Sequence, residues 1–492
     1  MSTRCFYSFI GLILLLSANV ASAQVFQGYQ TSQFAGVHGI PLNPASAAGY
    51  HGRWDINIIG AGLIAGNTYA SFSKKALLSN QSTLYRNVDY FLDSMATRNQ
   101  YAWAEAEFMM PSVLYAIDKY QSFAFTWRIR GSGNINNVST PTANMFANNY
   151  PNVTYLDRTI NEPYAQGGQH GWNEFGFTYA RLVKEDIYSR LKLGATVKLL
   201  SGIISGYGSG ENATYVFKSD GTLDIKRGIA QFSYNKENDE GHETIGDYFG
   251  FFNHASLGLD LGLIYDILEG EDGYGAYEDA DIYFNPGADQ YKLRLGISIT
   301  DIGRLKYDAS VVSQKVDLTS ENLSANGLTR RRGESEQEYL LRLGSYFEQQ
   351  EFPSTYTMTL PTALHLSADY KIREGFYLGA VADIGLTGGK KLDRKTNKLV
   401  QLAITPRYDK RWWGVYMPLV LNRFGQADAG LVLRAGPLVL GSASLFTSLA
   451  KKNLNRVDGF VALRVIPIKF ASRNRGNGIF RSKKGQVGCP VF

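Results

Sequence analysis

The sequence is poor in the residues that cross-link a fold or bind a metal. Its 492 residues include two cysteines, Cys5 near the start and Cys489 near the end, and six scattered histidines. No histidine is spaced from a cysteine or from another histidine as a metal site requires. The sequence therefore excludes a disulfide framework and a zinc module, and we expect no metal and no cofactor.

Long apolar runs are also missing after residue 23. The best candidate, residues 58–65, is short and has Asn57 and Asn67 close by, whereas a spanning helix needs about 18 to 20 apolar residues. Only helices and closed barrels satisfy every backbone polar group in lipid. The mature chain is therefore either a soluble protein outside the cytoplasm or a protein that crosses a membrane as strands.

Catalytic signatures are absent as well. We find no nucleophile elbow, no Walker loop and no dinucleotide fingerprint, so we predict no catalytic or cofactor-binding residue. His365 and Ser367 share the polar side of a predicted strand, and lining of a lumen explains them more simply than hydrolysis does. The net charge is +6 at pH 7 and is spread along the chain, so we expect no nucleic-acid partner.

The first residues have the pattern of a signal peptide. Arg4 precedes the apolar stretch of residues 10–16, and a small-x-small sequence ends at Ala23. We predict cleavage between Ala23 and Gln24, which makes residues 1–23 the signal peptide. An uncleaved anchor is the alternative, but the apolar stretch is short for a span.

Alternation of apolar and polar residues is the main structural signal. Between residues 255 and 267 every odd position is apolar, and most even positions carry Ser, Gly or Asp. The same pattern recurs at residues 190–199, 291–300 and 364–371. Such runs are long for soluble strands and suit tilted membrane strands. A large soluble β-sandwich or propeller would also alternate, although we find no fixed repeat.

Short turns alternate with long polar stretches, as in outer-membrane barrels. The long stretches are residues 74–100, 132–171, 206–253 and 310–355. We therefore predict an all-β fold, a single transmembrane antiparallel β-barrel of about fourteen strands within residues 53–470. The predicted strands are 53–73, 101–117, 121–131, 172–183, 188–205, 254–267, 289–309, 356–371, 376–386, 397–408, 411–421, 428–435, 438–446 and 456–470.

Other segments complete the predicted organisation. Residues 24–52 form an N-terminal plug or a periplasmic segment, and residues 471–492 form a basic periplasmic tail. Amphipathic stretches in residues 74–100 and 334–350 predict short helices at the mouth of the barrel. The turn-like Asn43-Pro44-Ala45 is a candidate N-terminal motif.

Charged residues on the polar faces of the predicted strands are candidates for the lining of the lumen. Alternation places four of them there, namely Asp260, Lys292, Arg294 and Asp369.

A family resemblance rests on three short sequences. Asn43-Pro44-Ala45 before an extended first strand resembles the start of FadL-like outer-membrane barrels, and residues 295–307 (LGISITDIGRLKY) resemble their GxSxxDxGxxxY strand. With residues 193–202, the set most resembles an uncharacterised Bacteroidota family of such barrels, related to type IX secretion and gliding. The resemblance covers nearly the whole mature chain. It implies a barrel in the cell outer membrane, but members differ in function, so it assigns no binding residue.

Three functions remain open at this point. The first is passive or gated transport of small, possibly hydrophobic, compounds. The second is a non-enzymatic anchor or escort for a secreted or surface protein, and the third is a soluble extracellular β protein. The expected partners are outer-membrane lipid, the barrel-assembly machinery and a secreted or periplasmic protein.

Overall fold

In the computed structural model, antiparallel strands form one closed ring. The structure describes residues 27–50, 52–78, 83–148, 155–236, 254–269, 291–331, 333–387 and 394–465. The predicted cleavage site at Ala23 and Gln24, the basic tail and Cys489 lie outside the described residues.

Fourteen strands cross the ring, as the sequence predicted. Pro111, Pro361 and Pro418 lie at the breaks in β2, β8 and β11, because proline cannot donate a ladder hydrogen bond. The strands are β1 Trp54–Asn67, β2 Gln100–Met109 with Ser112–Ala116, β3 Gln121–Val138, β4 Thr159–Glu185, β5 Ser189–Phe217, β6 Ala255–Ile267, β7 Leu293–Asp308, β8 Thr355–Thr359 with Ala363–Arg373, β9 Phe376–Gly385, β10 Gln401–Asp409, β11 Trp413–Tyr416 with Leu419–Asn422, β12 Ala427–Ala429 with Leu431–Ala435, β13 Leu438–Ser442 and β14 Arg456–Val465.

Shorter elements lie in the N-terminal segment and in the connections. The α-helices are Lys74–Leu78, Thr140–Asn148, Glu336–Gly344 and Leu445–Ala450, and the 3-10 helices are Gly36–Gly39, Pro44–Ala47 and Ala325–Leu328. The additional strands are Ala70–Ser73, Tyr90–Leu92, Thr222–Tyr234, Gln314–Asp317, Ser320–Ser324, Glu348–Gln350 and Asn453–Leu454. No helix in the described ranges is both long enough and apolar enough to span a membrane.

The first and last strands close the ring. Gly62 of β1 is paired with Phe460 of β14 on one side and with Glu107 of β2 on the other. Each remaining strand is paired with the next one along the chain. The ring therefore has no free edge, which is the condition under which strands can span a lipid bilayer.

The apolar residues of each alternating run lie on the outside of the ring. On β6, Leu257 is 68% exposed and Leu261 is 45% exposed, whereas Asp260 between them is 2% exposed. The outer face is therefore apolar and the inner face is polar, as in a transmembrane barrel.

Two predicted loops contain long strands instead. β4 begins at Thr159 and β5 ends at Phe217, so both continue far beyond the predicted limits, and β5 also pairs with Thr222–Tyr234. The predicted loops 132–171 and 206–253 were wrong in these parts. Above the apolar band neither face of a strand meets lipid, so the alternation that marks the membrane strands is lost.

The helix predicted in loop 74–100 from the amphipathic stretch of residues 84–95 was also wrong. The helix Lys74–Leu78 ends before this stretch, and Tyr90–Leu92 is a strand that pairs with Ala70–Ser73. Asn87 has a φ of 62°, and a left-handed residue cannot continue a right-handed helix.

The second predicted loop helix is present as Glu336–Gly344. Its start is fixed by a capping box, in which Ser335 and Glu338 bond to each other's backbone N–H groups. This pattern was visible in the sequence.

We predict that Leu261→Arg destabilises the folded barrel in lipid by about 2 to 4 kcal/mol, because it places a charge on the lipid-facing side near the middle of β6. Val88→Arg, at an exposed apolar residue outside the ring strands, is the matched control and should have little effect. Urea unfolding in vesicles measures both. Equal stabilities of the two variants would contradict the assignment of this face to lipid.

Candidate functional site

The N-terminal segment, residues 27–50, lies inside the ring. Its polar contacts reach strands on opposite sides: the Val37 N–H donates to Asp55 of β1 at 2.7 Å, and Ser32 Oγ donates to Asp409 of β10 at 2.5 Å. Asn43 reaches β6 and β7 through backbone carbonyls. The segment therefore fills the cross-section of the ring at one level.

Apolar contacts hold the same segment against the remaining walls. Val37, Ile40 and Ala47 belong to one buried cluster, and Tyr29 and Ala35 belong to another. The strand residues of these clusters are Met109, Leu114, Ala124, Ala180, Tyr416, Val432, Val439, Phe460 and Ala462.

The Asn43-Pro44-Ala45 motif rests on glycines of β5 and β6. A Cβ added to Gly194 would come within 2.4 Å of the Ala45 nitrogen, and one added to Gly262 would come within 2.1 Å of Asn43 Oδ1. The Asn43 amide donates to the Leu263 carbonyl at 3.1 Å and to the Ile297 carbonyl at 3.3 Å. The motif therefore needs glycine at these two positions of the facing strands, because a side chain there would clash with it.

His38 is the titratable histidine of the segment. Its Nε2 lies 2.8 Å from Asn57 Oδ1 of β1, and its side chain is fully buried. Burial, reinforced by the charge of Arg464, lowers the pKa of His38 to about 3. His38 is therefore neutral at physiological pH.

A cluster of charged side chains occupies the lumen beside β2 to β7. Lys198 Nζ lies 2.7 Å from Asp260, 2.7 Å from Asp301 and 3.3 Å from Glu174, and all four side chains are buried. Asp260 is thus one predicted lumen residue that the structure places in this cluster. We call it the central charge cluster; its members are Glu107, Arg128, Arg130, Glu174, Lys198, Asp260 and Asp301.

Asp301 enters the cluster through a bulge in β7. Its φ is 60°, and this left-handed turn lets Thr300 and Asp301 both be buried. Asp301 accepts two hydrogen bonds from Arg130, at 2.6 and 3.0 Å. Its own N–H donates to Asp260 Oδ1 at 2.7 Å. The aspartate of the GxSxxDxGxxxY sequence therefore joins β3, β6 and β7.

The other positions of that sequence also have defined contacts. Ser298 Oγ donates to the Leu42 carbonyl of the N-terminal segment at 2.5 Å, and Tyr307 Oη lies 2.9 Å from His170 Nε2. The resemblance noted in the sequence thus coincides with residues that connect the wall to the interior.

Asp369 belongs to a second buried group. Arg407 donates two hydrogen bonds to it, both at 2.6 Å, and Tyr291 Oη also donates to it. Through Arg407 and Asp409 this group continues to Arg434. Its strand residues lie on β8, β10 and β12, which contribute nothing to the central charge cluster.

Arg294 and Lys292 lie nearer the end of β7 where the chain enters it. Arg294 donates to Asp266 at 2.6 and 3.0 Å, and Lys192 lies 3.1 Å from the same carboxylate. Lys292 pairs instead with Glu269 at 3.0 Å and lies over the ring of outward-facing Tyr370. Lys292 is therefore at the rim, apart from the three other predicted residues.

His365 does not pair with Ser367. Its Nε2 lies 2.9 Å from Thr300 Oγ1 and its Nδ1 lies 2.5 Å from Asp383 Oδ1. Asp383 also accepts from Gln401 at 3.1 Å. Within the described ranges, no group of three or more His, Cys, Asp or Glu side chains could hold a metal ion.

Residues 394–400, between β9 and β10, also enter the lumen. Lys398 Nζ donates to Glu105 of β2 at 2.7 Å, and the Asn397 N–H donates to Asn134 of β3 at 3.1 Å. Lys395 and Thr396 are buried. Sequence reasoning missed this inward loop. It wrongly placed residues 397–400 in the predicted strand 397–408, whereas β10 begins at Gln401, and the polar stretch before residue 397 has the composition of a surface loop.

A small cavity remains between the N-terminal segment and β5 to β8. Its volume is about 50 Å³, and its lining includes Asn43, Tyr50, Lys192, Arg294 and Asp369. This space can hold water, since a cavity needs only about 10 to 15 Å³ per water and polar partners. The segment is thus less tightly packed on this side.

Comparisons with known proteins give one family and several barrels. Residues 44–443 match the model of a family of unknown function, DUF5723. No curated protein matches the chain. Similar solved structures include the Ralstonia pickettii toluene transporter TbuX, with 12% identity over 91% of this chain and 99% of that chain and a TM-score of 0.41.

Two further barrels are similar to a comparable extent. A deltaS2S3 mutant of the TodX monoaromatic hydrocarbon channel has 9% identity over 88% of this chain and 95% of that chain, with a TM-score of 0.42. The translocator domain of autotransporter NalP from Neisseria meningitidis has 9% identity over 91% of this chain and all 100% of that chain, with a TM-score of 0.31.

We predict that acid releases the N-terminal segment through His38. The released histidine binds a proton below about pH 6.5, whereas the seated one does so only near pH 3. The seated form therefore loses about 1.4 kcal/mol per pH unit between these values. Hydrogen exchange of residues 27–50 at pH 7.5 and 4.5 measures this. His38→Gln, which keeps a partner for Asn57, should lack the slope; equal slopes would contradict the prediction.

We predict that Lys198→Met destabilises the barrel by about 3 to 5 kcal/mol, because it leaves three buried carboxylates without their shared cation. Lys226→Met, at an exposed lysine of Thr222–Tyr234, should change the free energy of unfolding by less than about 0.5 kcal/mol. Urea unfolding in vesicles compares the two. A Lys198→Met barrel as stable as the parent would show that the cluster does not support the fold.

Proposed function

We propose that this chain, which belongs to the family of unknown function DUF5723, passes small compounds through its lumen across the outer membrane. In this proposal residues 27–50 are a removable plug. The observation that carries it is the N-terminal segment itself, which fills the ring at one level through contacts with opposite walls. The predicted signal peptide and the apolar outer face support the outer-membrane location.

The way the segment is held suits reversible release. Its polar anchors are separate hydrogen bonds, such as those of Val37 to Asp55 and of Asn43 to two carbonyls, and water can replace each of them. Its apolar contacts in the two buried clusters are lost on release. The glycine seat at Gly194 and Gly262 offers contact without side chains that interlock. The cavity beside Lys192 leaves room for water on one flank of the segment.

The lumen beyond the plug indicates the kind of compound. The central charge cluster lies next to buried aromatic rings, because Arg130 lies 4.9 Å from the ring centroid of Trp172. Tyr307 and Tyr356 stack nearby at 5.8 Å. Charged groups and aromatic faces together favour small amphipathic compounds that carry a polar end on an apolar body.

Conductance and liposome uptake of the full-length mature protein test this function. Gly262→Val should raise both, because its side chain would displace Asn43 from its seat. Gly210→Val is the matched control, since an added Cβ there meets nothing within 4 Å, and it should behave as the parent protein. Deletion of residues 24–52 should raise permeability further than Gly262→Val.

A heat-modifiability gel must first show that each variant is a folded barrel. If the folded deletion variant conducts no ions and takes up no compound, the lumen is not a pathway and the transport proposal is wrong. If Gly262→Val and Gly210→Val raise permeability equally, the contact between Asn43 and Gly262 does not control permeability.

A second candidate is an anchor or escort for a secreted or surface protein. It is favoured by large apolar side chains that are exposed outside the ring strands, Tyr85, Val88, Met95 and Phe146. Exposed apolar groups of this kind often mark protein partners. Crosslinking from these positions in native membranes would separate the two functions, since transport alone predicts no captured protein.

A further inference from the structure

The wall of the barrel has one place where a helix replaces a strand. β13 is short, and its ladder to β14 ends with Gly441 opposite Phe460. Above that point Ala427–Ala429 of β12 pair only with β11, and residues 456–459 of β14 pair only with β1. Residues 443–455, all of them described, fill the gap and include the helix Leu445–Ala450.

Side chains seal this helix into the wall. Thr447 Oγ1 accepts from the Ala429 N–H at 2.8 Å on the β12 side, and Asp458 of β14 accepts from the Ala443 N–H at 2.5 Å. Asp428 and Arg456 form an ion pair across the gap. The helix thus has the position of a wall element between β12 and β14, and its other side is exposed.

That exposed side is apolar. Leu449 is 66% exposed and Phe446 is 39% exposed, and lipid-facing Val457 of β14 lies close to them along the chain. A second short helix, Lys74–Leu78, is joined to the first, because Lys74 Nζ donates to the Leu449 carbonyl at 2.7 Å. It adds Leu78, which is 88% exposed.

Three exposed lysines flank these apolar side chains. Lys75 lies on the second helix, and Lys451 and Lys452 directly follow the first. Residues 70–78 and 443–455 contain no carboxylate. The charge of Asp428 on β12 acts on Lys451, but Asp428 is itself paired with Arg456. We name this surface the rim patch, defined by Lys75, Leu78, Phe446, Leu449, Lys451 and Lys452.

We propose that the rim patch binds a phosphate-bearing lipid of the outer leaflet. The leucines and Phe446 contact the acyl chains, and the three lysines contact the phosphates. Clustered lysines beside an apolar surface match such a lipid in both charge and polarity. This inference rests on the outer-membrane location in the proposed function, but it concerns the outside of the barrel and not the lumen.

Bisphosphorylated lipid A is the probe, titrated onto the folded full-length mature barrel in detergent and followed by native mass spectrometry. The Lys75→Gln, Lys451→Gln, Lys452→Gln variant should bind it at least tenfold more weakly, given the usual contribution of each lysine at an anionic surface. Lipid A without its phosphates should bind the parent protein as weakly as the probe binds the variant.

A matched triple variant at the short-turn end, Lys119→Gln, Lys184→Gln, Lys410→Gln, should bind as the parent does. Leu78→Ser with Leu449→Ser should also weaken binding, because the acyl chains lose their contacts. Equal affinities of parent and rim-patch variants would overturn the proposal. Displacement of lipid A by an equal concentration of inorganic phosphate would also overturn it, since the site would then bind free anions.

If the rim-patch variants lost crosslinks to a secreted protein while their lipid A binding stayed unchanged, the rim patch would be a protein-binding surface. That result would equally overturn the proposal. The transport assay is independent of these results. A barrel that conducts but does not bind lipid A would leave the transport function standing, and one that binds but does not conduct would leave the rim patch standing.

Discussion

The closed strand ladder is the constraint on which the rest of the structure depends. Lipid offers no hydrogen bonds, so every N–H and C=O in the membrane must be satisfied by the chain itself. Pairing of β1 with β14 meets this condition. The apolar side chains then have to face outward, and the interior is left to polar residues. The ring therefore encloses a space that polar contacts, water or the apolar contacts of an inserted segment such as residues 27–50 can fill.

The chain fills this space partly with apolar clusters around residues 27–50 and partly with ion pairs. Arg130 and Lys198 join carboxylates from β4, β6 and β7, so the cluster links strands that are far apart in sequence. Burying such charges costs free energy that their pairing only partly returns. Because water can rehydrate each partner, an interior of this kind can open without unfolding the wall. An apolar core of the same volume would resist this.

The sequence predicted the features that contact with lipid imposes, and it missed the parts of the structure that do not face lipid. Alternation located all fourteen strands, and it placed Asp260 and Asp369 on the inner face. It gave no sign of the parts of β4 and β5 beyond the apolar band, where Ile160, Tyr215 and Phe217 are buried in an apolar cluster instead of facing lipid. Residues 394–400 were missed because Thr396 and Lys398 are buried by the ring itself, which no local pattern records. Lys292 has the right alternation, but it lies too near the strand end to reach the lumen.

The gap above β13 follows from the same constraint as the closed ladder. Where a strand stops within a barrel wall, its neighbours lose hydrogen-bond partners, and a loop in lipid could not replace them. A helix satisfies much of its own backbone, as in the Ser448 N–H bond to the Ser444 carbonyl and the Lys451 N–H bond to the Thr447 carbonyl. Thr447 and Asp458 then supply acceptors for N–H groups left at the gap. The wall can therefore change from strand to helix at this point while the N–H groups of Ala429 and Ala443 still have hydrogen-bond acceptors.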